Sequence, residues 1–338
     1  MTATLTDIAT QLGVSTSSVS RALAGKSGVS DDLRRRVLEA AGEVGYGRAP
    51  VTSLAGSASP IGVIVPELDN PVFAAFAQQM ATMLAQHGHA PMLCPQSAPG
   101  VSEDEWIEIL RARGMAGLIV VSGMHADTHA SMDRYRRLRR DQLPLVLVNG
   151  HVPGLDATSL SVDDAAAMSY AVDHLAALGH RRLGLALGPE RYVPVIRKVD
   201  GFTRALHERP ELMGTAPLIE HSMFTIEGGY GATSQLLDAG ATGVICASDV
   251  MALGAIRAAR SRGLSVPRDV SIIGFDGSAF DAYTDPPLTT LRQPVPAMAK
   301  AAVRALLEEL HNGTHPRNEF LFNPELVVRA STAAAPRS

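Results

Sequence analysis

Along the first 45 or so residues the apolar positions recur at helical spacing, whereas from Pro60 onward they fall in short runs separated by longer amphipathic stretches. Ile8, Ala9 and Leu12 make a stripe behind Thr4-Leu5-Thr6-Asp7. A hydroxyl three residues before a carboxylate is the capping-box arrangement, so a first helix is expected over 5–12. Gly13 supplies a turn position where positive φ is easy, and Ser15 can cap a second helix carrying Val19 and Leu23. A third helix begins at Ser30, with Asp31 and Asp32 near the positive end of its dipole. It buries Leu33, Val37, Ala41 and Val44 and stops at Gly45.

The later runs, Ile61–Val65, Pro91–Cys94, Leu118–Val121, Leu145–Val148, Leu183–Leu187, Val244–Ala247 and Ile272–Phe275, read as buried strands. Helices are expected around 73–87, 103–113, 165–178, 199–207, 228–237, 250–263 and 295–310. Strands alternating with helices indicate parallel sheets, and about ten strands in a segment of this size fit two doubly wound lobes better than one wide sheet. Ligand would then sit between the lobes, where polar residues follow the strands: Ser122, Asn149, Ser248 and Asp276.

In a three-helix head of this kind the second helix of the turn lies in the major groove, and Thr16, Ser17 and Arg21 are its outward candidates for base edges. Thr6-Asp7-Ile8-Ala9 followed by Leu12-Gly13-Val14-Ser15-Thr16-Ser17-Ser18-Val19-Ser20-Arg21-Ala22-Leu23-Ala24-Gly25, with Val29-Ser30 and Gly45-Tyr46 behind, resembles the head of the lactose-repressor/galactose-repressor family. The resemblance implies DNA contacts from Thr4, Thr6, Ser15, Thr16, Ser17, Ser20, Arg21, Ser30 and Tyr46. It also implies a hinge over 47–58 that becomes helical on operator DNA and wedges Leu54 into the minor groove. Gly47-Arg48-Ala49-Pro50 is one residue shorter than the usual hinge and lacks its asparagine.

The resemblance continues through Ile61-Gly62-Val63-Ile64-Val65-Pro66, Asp69-Asn70-Pro71-Val72-Phe73, His174–His180, Gly201-Phe202, Gly228-Gly229-Tyr230, Ala247-Ser248-Asp249, Gly274-Phe275-Asp276 and Pro286–Thr290. It implies an all-α helix-turn-helix head over 1–46 plus an α/β core of two doubly wound parallel-sheet lobes over 59–338. That core would be periplasmic-binding-protein-like, with three crossings between lobe 1 (about 59–160 and 292–322) and lobe 2 (about 161–291 and 323–338). Ligand contacts are implied at Asn70, Phe73, Ser122, Asn149, Phe224, Ser248 and Asp276. Where relatives carry an arginine three residues before Gly201-Phe202 this chain has Lys198, with Arg197 beside it, so either cation is a candidate.

A net charge of −4 argues against indiscriminate nucleic-acid binding, yet residues 1–58 hold six basic against five acidic side chains, while the remainder is acidic. Cys94 and Cys246 lie inside strand-like runs and suit buried thiols rather than a disulfide. The first twenty residues have no signal-peptide core and no eighteen-residue apolar run occurs, so a cytoplasmic location without membrane contact is expected.

Several signals are read as structural: Asp163-Asp164 as a helix start, His125 and His129 as a solvated loop, and the five arginines of 134–140 as a solvated helix face. No Walker loop, nucleophile elbow or dinucleotide fingerprint occurs, so catalytic residues, metal and cofactor are all expected to be none. The reading is therefore a non-enzyme: a transcription regulator, a repressor by resemblance, binding a double-stranded palindromic operator as a homodimer under control of a small-molecule effector, a carbohydrate. No leucine-heptad tail follows Arg329 to make tetramers. The same build would also suit a sensor of a nucleobase or of a phosphorylated partner protein, and the lobes alone would suit a binding protein with no DNA role.

Overall fold

The computed structural model describes residues 4–23, 29–43, 59–96, 100–214, 216–313 and 318–336. Tyr46, Leu54 and the 47–58 hinge lie outside the described residues. The chain divides into a first unit of residues up to Ser59, with 82–91 grouped with it, and a second unit holding the rest.

The first unit begins with three helices: α1 (Leu5–Leu12), α2 (Thr16–Leu23) and α3 (Asp31–Glu43). Thr4 and Asp7 form the capping box, the Thr4 N–H donating to the Asp7 carboxylate at 2.7 Å and the Asp7 N–H to the Thr4 hydroxyl at 3.3 Å. Gly13 ends α1 at φ 66°, a left-handed position that favours glycine. Ile8, Ala9, Val19, Ala22, Val37, Ala40 and Ala41 are buried together, flanked by Leu5, Leu12, Val14, Leu23, Val29 and Leu33.

The second unit contains two six-stranded sheets. In the first, β1 (Ile61–Val65), β2 (Pro91–Pro95), β3 (Gly117–Val121), β4 (Leu145–Val148), β5 (Thr158–Val162) and β11 (Glu319–Phe322) run in the order β11-β5-β4-β3-β1-β2. The second holds β6 (Leu183–Leu187), β7 (Leu218–His221), β8 (Gly243–Cys246), β9 (Ser271–Asp276), β10 (Thr289–Arg292) and β12 (Glu325–Val327), in the order β12-β10-β9-β8-β6-β7. Its strands pair in parallel except β12, which closes the edge antiparallel to β10. The chain passes between sheets three times: after β5, after β10, and between β11 and β12.

The helices in chain order are α4 (Pro71–Gln86), α5 (Glu103–Ala112), α6 (Asp133–Arg140), α7 (Asp164–Ala177), α8 (Val193–His207), α9 (Ile226–Asp238), α10 (Asp249–Ser261) and α11 (Val295–Asn312). Among them α11 returns to pack on β3, β4 and β5 after the second crossing, while α7 packs on α8. Helix α8 starts six residues before the expected Val199, because Pro194 falls in its first turn, where a missing N–H breaks no helical bond.

Two other expectations change. His125 is buried, not solvated: it is 2% exposed, its ring Nε2 lies 3.1 Å from the Val148 carbonyl, and burial pushes its pKa down to about 4. The arginine-rich face is solvated only in part, since Arg139 is paired with the buried Glu309 of α11 and Arg134 lies 3.1 Å from Asp104 with little exposure. A five-arginine run hides this, because the partners are distant in sequence.

Candidate functional site

A cavity of about 300 Å³ lies in the second unit, lined from both sheets. All nine sequence-nominated ligand residues line it: Asn70, Phe73, Ser122, Asn149, Arg197, Lys198, Phe224, Ser248 and Asp276. Each comes from a strand end, a helix start or the first turns of α8, because parallel strands leave their carboxyl ends open and helix N-termini gather beside them. Ser122 follows β3, Asn149 follows β4 and Asp276 ends β9, and all three are non-glycine residues at positive φ, 46°, 62° and 117°. Backbone strain of this kind persists where surroundings over-determine it, and here it turns three strand ends into one cavity. Asn149 Nδ2 then donates to Ser122 Oγ at 3.2 Å.

Asp276 is 6% exposed and accepts from Asn70 Nδ2 at 3.2 Å and Gln293 Nε2 at 2.7 Å, so its neighbours come from α4's approach and from the residue after β10. Burial and the nearby Asp249 carboxylate push its pKa up to about 8. Asp249 itself is tied down by the N–H groups of Gly277 and Ser278 and by the Thr290 hydroxyl, at 2.8, 2.9 and 2.6 Å. Ser248 caps α10, accepting from Met251 N at 3.1 Å, so its hydroxyl has a structural task already.

Four aromatic residues, Phe73, Tyr192, Phe224 and Phe275, line the same space. Tyr192 and Phe224 meet edge to face with centroids 5.9 Å apart. A Cβ at Gly188 would come within 2.5 Å of the Phe224 ring, so only glycine lets that ring lie flat on the chain after β6. The two cations are both held. Arg197 makes two bonds to Glu319 of β11, at 2.6 and 2.9 Å, and Lys198 lies 2.5 Å from Asp164 and 3.9 Å from the centre of the Phe275 ring. Burial raises the Asp164 carboxyl, with Lys198 and Arg197 opposing the rise; for Glu319 burial also works upward, but Arg197, Ser161 and His151 together hold it below its ordinary value.

In the head, Thr4, Thr6, Ser15, Thr16, Ser17, Ser20, Arg21 and Ser30 are all exposed. Helix α2 shows its hydroxyls outward while Val19 and Ala22 face the core. Ser15 Oγ lies 2.8 Å from Ser17 Oγ, and Arg21 Nε donates to the Ser17 carbonyl at 3.3 Å, folding the guanidinium against its own helix.

Residues 4–48 match the bacterial regulatory proteins of the lacI family, and residues 172–332 match the periplasmic binding protein-like domain. Over 339 aligned residues the chain is 53% identical to the HTH-type transcriptional regulator MalR of Streptomyces coelicolor, covering 99% of this chain and 98% of that protein. The chain belongs to the LacI family. It is also 34% identical to the HTH-type transcriptional repressor CytR of Escherichia coli, across 99% of this chain and 97% of that one. Among solved structures it is similar to the lac repressor dimer bound to operator and the anti-inducer ONPF, at TM-score 0.70 and 26% identity over 99% of this chain and all of that one. A CelR–cellobiose complex matches at TM-score 0.71 and 25% identity over 97% and 99% of the two chains.

This LacI-family chain is thus a DNA-binding transcriptional regulator, and the relatives it matches are regulators rather than enzymes. Among the described residues no helix is long and apolar enough to cross a membrane, and no His/Cys/Asp/Glu group could hold a metal.

Sequence reasoning missed Glu67, Asp164, Tyr192 and Gln293 as cavity residues. Asp163-Asp164 does open a helix, with Asp163 as its cap accepting from Ala166 N at 2.9 Å, but Asp164 also turns inward toward Lys198. Gln293 follows β10, the same strand-end position that exposed Asp276 to notice. Its signal was lost because Thr289-Thr290-Leu291 does not look like a buried strand, although both threonines are fully buried.

Proposed function

We propose that this regulator is a repressor acting in the cytoplasm as a homodimer, with head (1–46), hinge (47–58) and effector core (59–338), on a palindromic operator. Thr16, Ser17 and Arg21 of each head read one half-site, Leu54 pries at the centre, and a sugar bound in the cavity changes operator affinity. The observation that carries the effector half is the cavity itself: strained strand-end polar residues, a buried carboxylate and four aromatic side chains around about 300 Å³. Polar groups that fix hydroxyls beside apolar faces that cover ring C–H groups are what sugar recognition needs. The DNA half is supported by the exposed hydroxyls and arginine of α2 and by likeness to a repressor dimer solved on its operator. The cellobiose held by CelR supports a carbohydrate.

The test is selection of duplexes from a random pool by the full-length protein, followed by titration with sugars. A palindrome with a central flexible step should be enriched. Arg21→Ala should then weaken binding by about 1–3 kcal/mol and relax one base pair per half-site. Equal loss on every sequence would contradict direct readout, and a sugar panel with no effect on operator affinity would remove the effector reading.

A further inference from the structure

Every cation that lines the cavity already has its own carboxylate. Arg197 is gripped at both nitrogens by Glu319, a two-pronged pairing that satisfies the planar guanidinium, and Lys198 is closed between Asp164 and the face of Phe275. Lys198 and Asp164 are each about 5% exposed, so water screens neither. Glu67 and Asp276 add two further carboxyl groups to the lining, and among the described residues it holds no third cation. A phosphate entering this space would lose its hydration and meet no unpaired positive charge, an arrangement that burial penalises heavily.

Uncharged hydrogen-bonding capacity, by contrast, is left over. Gln293 is 6% exposed and spends its Nε2 on Asp276, while its Oε1 has no partner among the described residues. That oxygen is a buried acceptor left unpaired at the edge of the cavity. Beside it the Asp276 oxygens each accept a single bond and keep further lone pairs. The rest of the wall is largely Phe73, Tyr192, Phe224, Pro66, Pro189 and Pro194.

We infer that the cavity takes an uncharged, hydroxyl-bearing ligand, and that Glu319 and Asp164, by neutralising Arg197 and Lys198, are the residues that exclude phosphate esters and other anions. This rests on the cavity being the effector site. It separates a free sugar from a sugar phosphate or nucleotide of the same shape.

Thermal unfolding of the full-length protein with matched probes tests it: glucose against glucose 6-phosphate, ribose against ribose 5-phosphate, cellobiose, and inorganic phosphate. Neither the esters nor phosphate should stabilise the native protein. Glu319→Gln, which keeps the side-chain shape but frees Arg197, should gain phosphate binding by about tenfold or more, a gain that salt abolishes. The double variant Arg197→Gln/Glu319→Gln should be indifferent to phosphate again. Stabilisation of the native protein by an ester beyond its parent sugar overturns the exclusion, as does a folded Glu319→Gln protein with no phosphate response. If Glu319→Gln does not fold, the native protein's response to the esters decides alone.

Repeating the active probes on the operator complex keeps the two conclusions apart. An ester that binds and shifts operator affinity overturns the exclusion and leaves the effector role standing. A neutral sugar that binds without shifting operator affinity supports the exclusion and removes the effector role.

Discussion

In the head, the candidate base-reading groups Thr16, Ser17, Ser20 and Arg21 come from six consecutive positions of one helix and are exposed. In the core, Asn70, Asp164, Lys198, Asp276 and Gln293 come from points spread over more than two hundred residues and are buried. The difference decides what each group does for stability. Among the described residues Arg21 bonds to the Ser17 carbonyl one turn back, so the helix core of Val19 and Ala22 does not depend on it. Asp164 and Lys198 hold a charge pair inside the protein, and Asn70 and Gln293 hold a carboxylate. The candidate groups are laid over the fold in the head and built into it in the core.

The sharpest break of that contrast is Asp164→Ala. It leaves the Lys198 ammonium buried against Phe275 without its carboxylate, and losing one partner of a buried pair is worth about 3–5 kcal/mol of stability. Denaturant unfolding followed by tryptophan fluorescence should show this loss, with Arg21→Ala melting like the native protein beside it. A stable Asp164→Ala core would mean that the cavity residues, like the helix surface, are dispensable to folding.

The same asymmetry explains what was legible in the sequence. The head is local: a capping box, a glycine turn and hydroxyls around an apolar stripe sit within twenty residues, and α1 and α2 form where those signals place them. Strands made of continuous aliphatic runs are equally visible, Ile61–Val65, Leu145–Val148 and Leu183–Leu187 among them. Strands β5 and β10 are not, because Thr158, Ser159, Ser161, Thr289 and Thr290 are buried polar residues whose bonding partners lie far along the chain. Ser159 N, for example, bonds the Asn318 carbonyl, and Thr289 N bonds the Ser331 hydroxyl. The cavity was found as a set of strand ends, but the pairing of its cations was not, since nothing near Arg197 in sequence announces Glu319.

A second, smaller contrast is in pH response. Burial and Asp249 push Asp276 up to about 8, and burial and the same neighbour do so for Asp281. The folded core therefore keeps protons that the unfolded chain releases from about pH 4. Their stabilising contribution is complete below that range and is lost as pH rises through about 8. Urea midpoints measured between pH 5 and 8, a range chosen from about those two values, should fall with rising pH, and Asp276→Asn, having no proton to lose, should flatten the fall. A native midpoint that climbs with pH would mean these carboxyls are ionised throughout. The head, whose Asp7 carboxyl is held below its usual range by the Thr4 N–H and then its hydroxyl, should show the opposite trend, confined to acid.

The smallest effect belongs to the contact between the Asp127 loop and the turn before α8. Thr128 donates from its N–H and hydroxyl to the Arg191 carbonyl at 2.9 and 2.8 Å, Arg191 Nε reaches Asp127 at 2.7 Å, and Asp127 pairs with Tyr192 as an isolated bridge. Tyr192 lines the cavity, so this clasp joins the two sheets' loops beside it. Its backbone bonds survive Arg191→Ala, which removes the ion pair to Asp127, a 3.3 Å bond from Arg191 Nη2 to the Tyr192 hydroxyl and the packing of the guanidinium over the Tyr192 ring. If a sugar occupies the cavity as proposed, its release, followed by stopped-flow dilution, should therefore quicken by less than about tenfold, with stability lowered by no more than about 1 kcal/mol. A much larger acceleration would show that the arginine, and not the backbone bridge, keeps the clasp shut, and would make this one part of the core behave like the head: a surface side chain carrying function that the fold does not need.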